Sequence, residues 1–225
     1  MSTLGTLRAL RLDAHVPPSG AWLASVWLDS STLPAVGPTT LTVGDLELVG
    51  SVIRTDFDDH PGGALAVAVV RGGPGWRLPV TRAGSYAGGV RLVTVLRDLA
   101  TMAGEPIAEP TDADLGTAYR WEAHSPTAPV HREDVLDELV TRGYLPTWRV
   151  EPFTGRTRFD AWPSIGAADG RGRVLSRSTS RGRRTVGLDV VTAAFLPGAT
   201  LEDTVIRRTI LRESAGKLRA EVFEQ

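Results

Sequence analysis

Residues 39–55 read TTLTVGDLELVGSVIRT. Apolar and polar residues alternate on both sides of Gly44-Asp45. This alternation is typical of two half-buried strands joined by a tight turn, since Asp and Gly are favoured turn residues. Gly50 interrupts the second run and predicts a bulge or bend in that strand. The stretch therefore predicts a β-hairpin.

The rest of the first eighty residues has the same character. Short apolar runs are separated by Pro- and Gly-containing breaks, and they cover residues 4–12, 21–28 and 64–71 in addition to the hairpin. The run 64–71 is continuously apolar, which predicts a strand that is buried on both faces. Five or six short strands at this spacing predict a small barrel or sandwich.

The middle of the chain changes to a helical period. Apolar residues recur every three or four positions over 90–103 and again over 131–142, and a glycine follows each run. These patterns predict two amphipathic helices with glycine stops. A strand over 118–123 and a hairpin over 145–162 complete an expected α+β unit.

The tail returns to a strand pattern over 185–194, 201–211 and 218–223. The predicted fold class is therefore β-rich α+β. Residues 1–84 and 166–225 form the barrel-like β domain or domains, and residues 85–165 form an inserted α+β unit with two helices. One hypothesis is that the two ends of the chain pair into one barrel.

Composition excludes several kinds of chemistry. The 225 residues carry a formal net charge of −1 and no Cys, which rules out disulfides, thiol nucleophiles and Cys-ligated metals. Lys217 is the one Lys among 25 basic residues. The N-terminus shows no secretory signal, and the longest apolar run is far shorter than the roughly 20 residues of a membrane span. A soluble protein with no membrane insertion is expected.

Candidate catalytic residues are few. The four His lack the close spacing that metal binding on one element requires, and no G-x-S-x-G motif is present. The acidic residues Asp56, Asp58 and Asp59 lack the pattern of a calcium loop. A hydrolase that uses Asp112 with Asp114, or Asp58 with His60, is the least favoured hypothesis. We expect no enzymatic activity, no metal and no cofactor.

The strongest charge feature is the stretch GRGRVLSRSTSRGRR at 170–184, which holds no acid. Its basic residues are Arg171, Arg173, Arg177, Arg181, Arg183 and Arg184. Arginines spaced by Gly and Ser predict a flexible basic loop that contacts a partner. The partner is either nucleic acid, bound through its phosphates, or an acidic protein, and an idle solvated loop is the third alternative.

Several segments, taken in order, resemble one protein family. The helix at 90–104, the helix at 132–140 with Trp148 and the hairpin end at 159–163 are similar to segments of bacteriophage tail hub proteins. The segments 195–201, 205–208 and 218–222 resemble the returning strands of that family. The family includes baseplate hubs of contractile tails, the late control protein D group and type VI secretion spike proteins.

The resemblance implies a structural role. It implies barrel-like β domains that assemble as a homotrimer between the tail tube and a spike or fibre-bearing cap. The expected partners are tail tube, distal tail or baseplate and spike proteins, with passing contact with DNA in the ejection channel. The expected location is the virion tail, assembled in the host cytoplasm. The alternative function is a nucleic-acid-binding module that uses residues 171–184.

Overall fold

The computed structural model describes residues 2–59, 63–110, 113–168, 172–178, 182–188 and 193–224. The chain forms two compact units. The first, here called the β unit, comprises residues 1–72, 152–154 and 162–225, and the second, the α+β unit, comprises 73–151 and 155–161. The sequence-based division at 84/85 and 165/166 differs from these bounds, since residues 73–84 belong to the second unit and residues 152–154 and 162–165 belong to the first.

The described residues of the β unit form thirteen strands. They are β1 (Thr3–Leu4), β2 (Leu7–Val16), β3 (Leu23–Leu28), β4 (Gly37–Val43), β5 (Leu46–Asp58), β6 (Leu65–Arg71), β11 (Gly166–Ala167), β12 (Arg173–Ser178), β13 (Arg183–Leu188), β14 (Ala199–Leu201), β15 (Thr204–Val205), β16 (Arg208–Ser214) and β17 (Lys217–Phe223). The α+β unit contributes β7 (Gly84–Tyr86), α1 (Leu92–Ala103), β8 (Tyr119–Trp121), α2 (Arg132–Thr141), β9 (Arg149–Val150) and β10 (Thr157–Arg158). Within the described ranges, 3₁₀ helices lie at Pro74–Arg77 and Ala193–Phe195.

Six strands close into a barrel. The order is β1-β4-β5-β6-β3-β2, and the two-residue strand β1 also pairs with β2, which joins the two ends. The predicted hairpin is β4–β5, in which Val43 pairs with Leu46 around Gly44-Asp45 and Gly44 has φ +63°. A barrel has no open edge along the closed strands, so its backbone groups are paired internally. The prediction of a β-rich fold with a barrel-like domain is confirmed.

The C-terminal strands extend this sheet outside the barrel. The edge of β2 is shared, since residues 7–8 pair with β1 and residues 11–16 pair with β16. The sheet then continues in the order β16-β17-β13-β12. The hypothesis that both ends complete one barrel is therefore wrong. The ends do pair, but the barrel closes within the first 71 residues.

The core of the β unit lies on the inner faces of the strands. Ala66, Ala68 and Val70 of β6 are fully buried, whereas the alternate residues are only partly buried. The prediction that β6 is buried on both faces is wrong, because one face of a barrel strand points inward and the other points outward. One apolar cluster joins the barrel to β13, β14, β16 and β17.

Gly50 is required for packing and not for a bulge. The register of β5 against β6 shifts between Val52 and Arg54, beyond Gly50. A Cβ atom at Gly50 would lie 2.6 Å from the backbone oxygen of Arg71 and 2.8 Å from Cζ2 of Trp22. The predicted bulge at Gly50 is therefore wrong, since the glycine makes room for a buried indole.

Both predicted helices are present in the α+β unit. The helix α1 ends at Gly104, whose φ of +68° is the left-handed conformation that glycine adopts without cost. The helix α2 begins after His131, whose backbone N–H donates to the Asp134 carboxylate at 2.6 Å. Neither helix, within the described part of the chain, is long and apolar enough to cross a membrane.

The two helices belong to an internal repeat with an offset of forty residues. Val90, Val95, Leu96, Leu99, Thr101 and Pro106 recur as Val130, Val135, Leu136, Leu139, Thr141 and Pro146. Backbone contacts recur at the same offset. The Leu92 N–H donates to Ala113 at 2.8 Å and the Val90 carbonyl accepts a hydrogen bond at 3.0 Å, while the Arg132 N–H donates to Leu78 at 3.2 Å and the Val130 carbonyl accepts one at 3.0 Å. The sequence patterns above predict both helices without revealing that they are copies.

The tail differs from its prediction in two respects. The strand predicted over 185–194 is present as β13 at 183–188, but Ala193–Phe195 forms a 3₁₀ helix. The single strand predicted over 201–211 is divided into the end of β14, then β15 and β16. The first break lies at Glu202 and Asp203, which have φ values of +48° and +63°. These left-handed conformations reverse the chain, so that β14 and β15 form a hairpin.

Candidate partner interface

The arginine-rich segment folds as a β-hairpin. Arg173 and Arg177 lie on β12, while Arg183 and Arg184 lie on β13, and the two strands pair antiparallel. The predicted loop is wrong for residues 173–178 and 183–184, because β12 pairs with β13 and β13 is held along its whole length by β17. Arg171 and Arg181 lie outside the described residues. Contact of these arginines with a partner stays a prediction.

A bulge divides the arginines between the two faces of the hairpin. The register of β12 shifts between Val174 and Ser176, so Arg177 pairs with Arg184 on the face that carries buried Val186. Arg173, opposite Gly187, and Arg183 lie on the other face. The segment is therefore not a single basic strip.

On the inner face, Glu202 binds two arginines. Arg177 Nη2 donates to Glu202 Oε1 at 2.6 Å, and Arg184 Nη1 donates to Glu202 Oε2 at 2.6 Å. Arg184 also forms an ion pair with Glu224 and donates to the Leu201 carbonyl at 3.3 Å. The turn in which Glu202 has a positive φ brings its carboxylate to β12 and β13. Sequence reasoning missed Glu202, since nothing in the sequence around it links it to the arginines.

We expect Glu202→Gln to lower the free energy of unfolding by about 0.5–1 kcal/mol, because half-exposed ion pairs contribute in this range. Urea unfolding followed by circular dichroism measures the change, and about 1 M NaCl should reduce it, since salt screens charges near the surface. Asp203→Asn, in the same exposed turn, removes the same charge and serves as the control. An equal loss in both variants would contradict the ion-pair explanation.

The outer face of the hairpin continues onto β16 and β17. Arg183 lies 3.6 Å from Glu221, and Arg212 Nε donates to Asp13 at 3.2 Å. Arg212 also pairs with Glu221. Arg212 is far from the arginine-rich segment in sequence, and sequence reasoning did not include it. Only the strand register places it beside Arg219 and Glu221.

The other sequence candidates serve local structure. Asp58 accepts the Trp27 indole N–H at 2.7 Å, Asp56 lies 3.7 Å from Arg54, and Asp114 accepts the Gly116 N–H at 2.7 Å. Asp112 and His60 lie outside the described residues. Within the described residues, no group of three His, Asp or Glu side chains is placed to hold a metal.

A buried arginine organises one end of the α+β unit. The Arg149 side chain is 1% exposed, and its Nη2 donates to Asp160 at 3.0 Å. Arg158 donates two hydrogen bonds to the same carboxylate and so holds the pKa of Asp160 below its usual value. Burial lowers the pKa of Arg149. The Asp160 carboxylate is thus bound by Arg149 and Arg158 and stays ionised. This favours a structural role for Asp160 over acid–base chemistry.

Comparison with known proteins gives a result at the level of three-dimensional structure. No protein-family model matches the chain, and no curated protein matches its sequence. A tail protein from Neisseria meningitidis superposes with a TM-score of 0.65 at 11% identity, over 98% of this chain and 94% of that one. This chain has the fold of tail proteins.

Two further solved structures share the tail-protein fold. The 43 kDa tail protein of prophage MuSo2 from Shewanella oneidensis has a TM-score of 0.61 at 11% identity, over 98% and 95% of the two chains. A type VI secretion component of E. coli, described as similar to the T4 tail proteins gp27 and gp5, has a TM-score of 0.62 at 7% identity. That match covers all of this chain and 77% of the other. The resemblance read from the sequence is confirmed at the level of the fold.

Proposed function

We propose that this protein is a structural component of a bacteriophage tail or of a related type VI secretion machine. The observation that carries the proposal is a fold shared along the whole chain with two tail proteins, one of them from a prophage, and with a type VI secretion component. A match of this extent includes the barrel, the added strands and the α+β unit together. A barrel alone would be weak support, since small barrels serve many functions.

The finer proposal is that the protein is the hub at the distal end of the tail tube. As a homotrimer, it would connect the tube to a spike or fibre-bearing cap and form part of the channel through which DNA leaves. It would assemble in the host cytoplasm and remain in the virion tail. Contact of the arginines of segment 170–184 with a partner, either a neighbouring tail protein or passing DNA, is part of this proposal.

The proposal includes no enzymatic reaction. Among the described carboxylates that were candidates for chemistry, Asp56, Asp58 and Asp114 contact an arginine, an indole and a backbone N–H. These are contacts of turns and strand ends. They favour a structural role over a hydrolase.

A nucleic-acid module built on residues 171–184 alone is less favoured. Arg177 and Arg184 are both bound to Glu202 on the inner face of the hairpin, and Arg184 is also paired with Glu224. Phosphates would have to compete with carboxylates that are already in place. The segment is also divided between two faces of a hairpin, so its arginines do not act together.

We expect the purified protein to have a solution mass of about three times the 24.1 kDa of one chain, because a hub closes a ring of three subunits. Light scattering after size exclusion, over a wide range of concentrations, measures this mass. Negative-stain images should show a ring. A protein that stays monomeric at every concentration and hydrolyses peptidoglycan would contradict both the hub and its lack of enzymatic activity.

A further inference from the structure

The outward face of the C-terminal sheet carries an unusual concentration of positive charge. Directly opposed residues of antiparallel strands point to the same side, so the register of β16, β17, β13 and β12 defines fourteen outward positions. Six of them are basic and Glu221 is the one acid. We call this surface the basic face, and its basic residues are Arg173, Arg183, Arg208, Arg212, Lys217 and Arg219.

The charge on this face contrasts with that of the chain. Six basic residues and one acid give the face a formal charge of +5, while the whole chain has −1, so the remainder carries −6. The only Lys of the sequence lies here. An excess of arginine spread evenly over the surface would not produce this separation. The strand register collects charges from residues 173 to 219 on one side of one sheet.

The basic side chains remain available to a ligand. Arg173, Lys217 and Arg219 are exposed on this face. Arg212 uses two N–H groups on Asp13 and Glu221, and Arg183 shares Glu221 with it. A guanidinium has five N–H donors, so these pairs orient the arginines and leave further donors for an anion. Arg208 lies over the Phe223 ring at 3.8 Å, which fixes its position as well.

The arrangement suits an extended anion. One row of directly opposed residues crosses the four strands β16, β17, β13 and β12. Its members, in that order, are Arg212, Arg219, Gly187 and Arg173. With neighbouring strands about 4.8 Å apart, this row is roughly 14 Å long. Double-stranded DNA presents one phosphate charge per about 1.7 Å of its axis, so a row of this length meets several phosphates at once.

The geometry points to the phosphate backbone of double-stranded DNA as the ligand of the basic face. An acidic protein is the alternative, but half of the fourteen positions are charged, and the centres of protein interfaces are depleted in charge. The two large apolar side chains among these positions are Ile210 and Phe223, and Phe223 lies beneath Arg208. Contact with phosphates is independent of base sequence. The inference goes beyond the proposed tail role and does not rest on it.

The test measures binding of a fluorescein-labelled duplex of about 30 base pairs by anisotropy, starting at about 50 mM NaCl. The variant Arg173→Ser/Lys217→Ser/Arg219→Ser removes three of the exposed positive charges of the basic face. We expect affinity to fall about tenfold or more, and the slope of log K against log salt to decrease by about 2–3, since each phosphate contact contributes about 0.9.

The control variant is Arg54→Ser/Arg82→Ser/Arg120→Ser, which removes three exposed charges elsewhere and leaves the salt slope unchanged. Circular dichroism confirms that both variants are folded. Absence of wild-type binding at low salt, or equal losses in both variants, would overturn the inference. Tighter binding of poly-glutamate than of DNA would also overturn it and would assign the face to an acidic protein. None of these outcomes depends on the solution mass that tests the hub proposal.

Discussion

Replacing Trp76 by Ala is expected to lower the free energy of unfolding by about 3–5 kcal/mol, as truncation of a fully buried Trp usually does. Trp76 is fully buried, its ring centroid is 6.2 Å from that of Trp148, and its indole N–H donates to the Thr157 hydroxyl at 2.7 Å. The variant loses a large apolar contact area and leaves the Thr157 hydroxyl, which is also buried, without its donor.

The backbone on the N-terminal side of Trp76 fixes the position of its side chain. Trp76 lies in the 3₁₀ helix Pro74–Arg77, and the preceding Gly75 donates its N–H to Glu105 at 2.6 Å. A Cβ atom at Gly75 would lie 2.0 Å from the Ala103 carbonyl oxygen. The glycine-rich sequence at 72–75 therefore allows two backbones to lie in close contact, and it places the Trp76 indole in the core.

Urea unfolding followed by far-ultraviolet circular dichroism measures the effect, since removal of a Trp disturbs fluorescence. Leu78→Ala, two residues further on, is the matched control because Leu78 is 51% exposed. Its cost should stay within about 0.5 kcal/mol. A loss below about 1.5 kcal/mol for Trp76→Ala would contradict the assignment of Trp76 as the centre of this core, since it would indicate that the cavity collapses.

Sequence periodicity predicts the helices and strands in which one face is apolar and buried and the other is polar and exposed. The helices at 92–103 and 132–141 were predicted within two residues, because their apolar spacing and glycine stops are local signals. The hairpin β4–β5 was predicted for the same reason. The repeat that relates the helices was also present in the sequence, and aligning the chain with itself at an offset of forty would have revealed it.

The strand β12 of the basic segment could not be predicted in this way. Residues 173–178 contain few apolar residues, and the strand forms because β13 offers an edge to it. The turn at Glu202 and Asp203 has no glycine, although both residues adopt positive φ. Two kinds of long-range contact determine the strand β12 and the turn at Glu202 and Asp203. These are the pairing of strands that are distant in sequence and side-chain contacts such as that of Arg184 with Glu202. The basic face has the same origin, since its charges become neighbours only through strand register.

The second large effect concerns Trp22, whose buried indole occupies the space left by two glycines. Its ring passes close to Gly50, and a Cβ atom at Gly72 would lie 2.3 Å from Nε1 of Trp22. Trp22→Ala is expected to cost about 3–5 kcal/mol through loss of the indole from the core. Gly72→Ala is expected to cost about 1–3 kcal/mol for the opposite reason, because the added methyl group cannot fit beside the ring.

The double variant Trp22→Ala/Gly72→Ala tests whether the cost of Gly72→Ala comes from the clash with the indole or from an independent loss of stability. Once the indole is gone, the methyl group of Gly72→Ala enters free space, so the second substitution should cost almost nothing. It should even stabilise by about 0.4–1 kcal/mol, because Ala restricts the unfolded chain more than Gly. The expected coupling energy is the difference between these two effects, about 1.4–4 kcal/mol, far above the 0.3–0.5 kcal/mol scatter of independent sites.

Gly88→Ala provides the control for this cycle, since Gly88 is exposed and its nearest neighbour is 3.4 Å from the added Cβ. Its effect should be the same with Trp22 and with Ala at that position. Additive costs for Gly72→Ala and Trp22→Ala would show that Gly72 is needed for backbone conformation and not for the indole. A strong coupling would show instead that the barrel selects glycine at this position because a distant Trp fills the space where a side chain would lie.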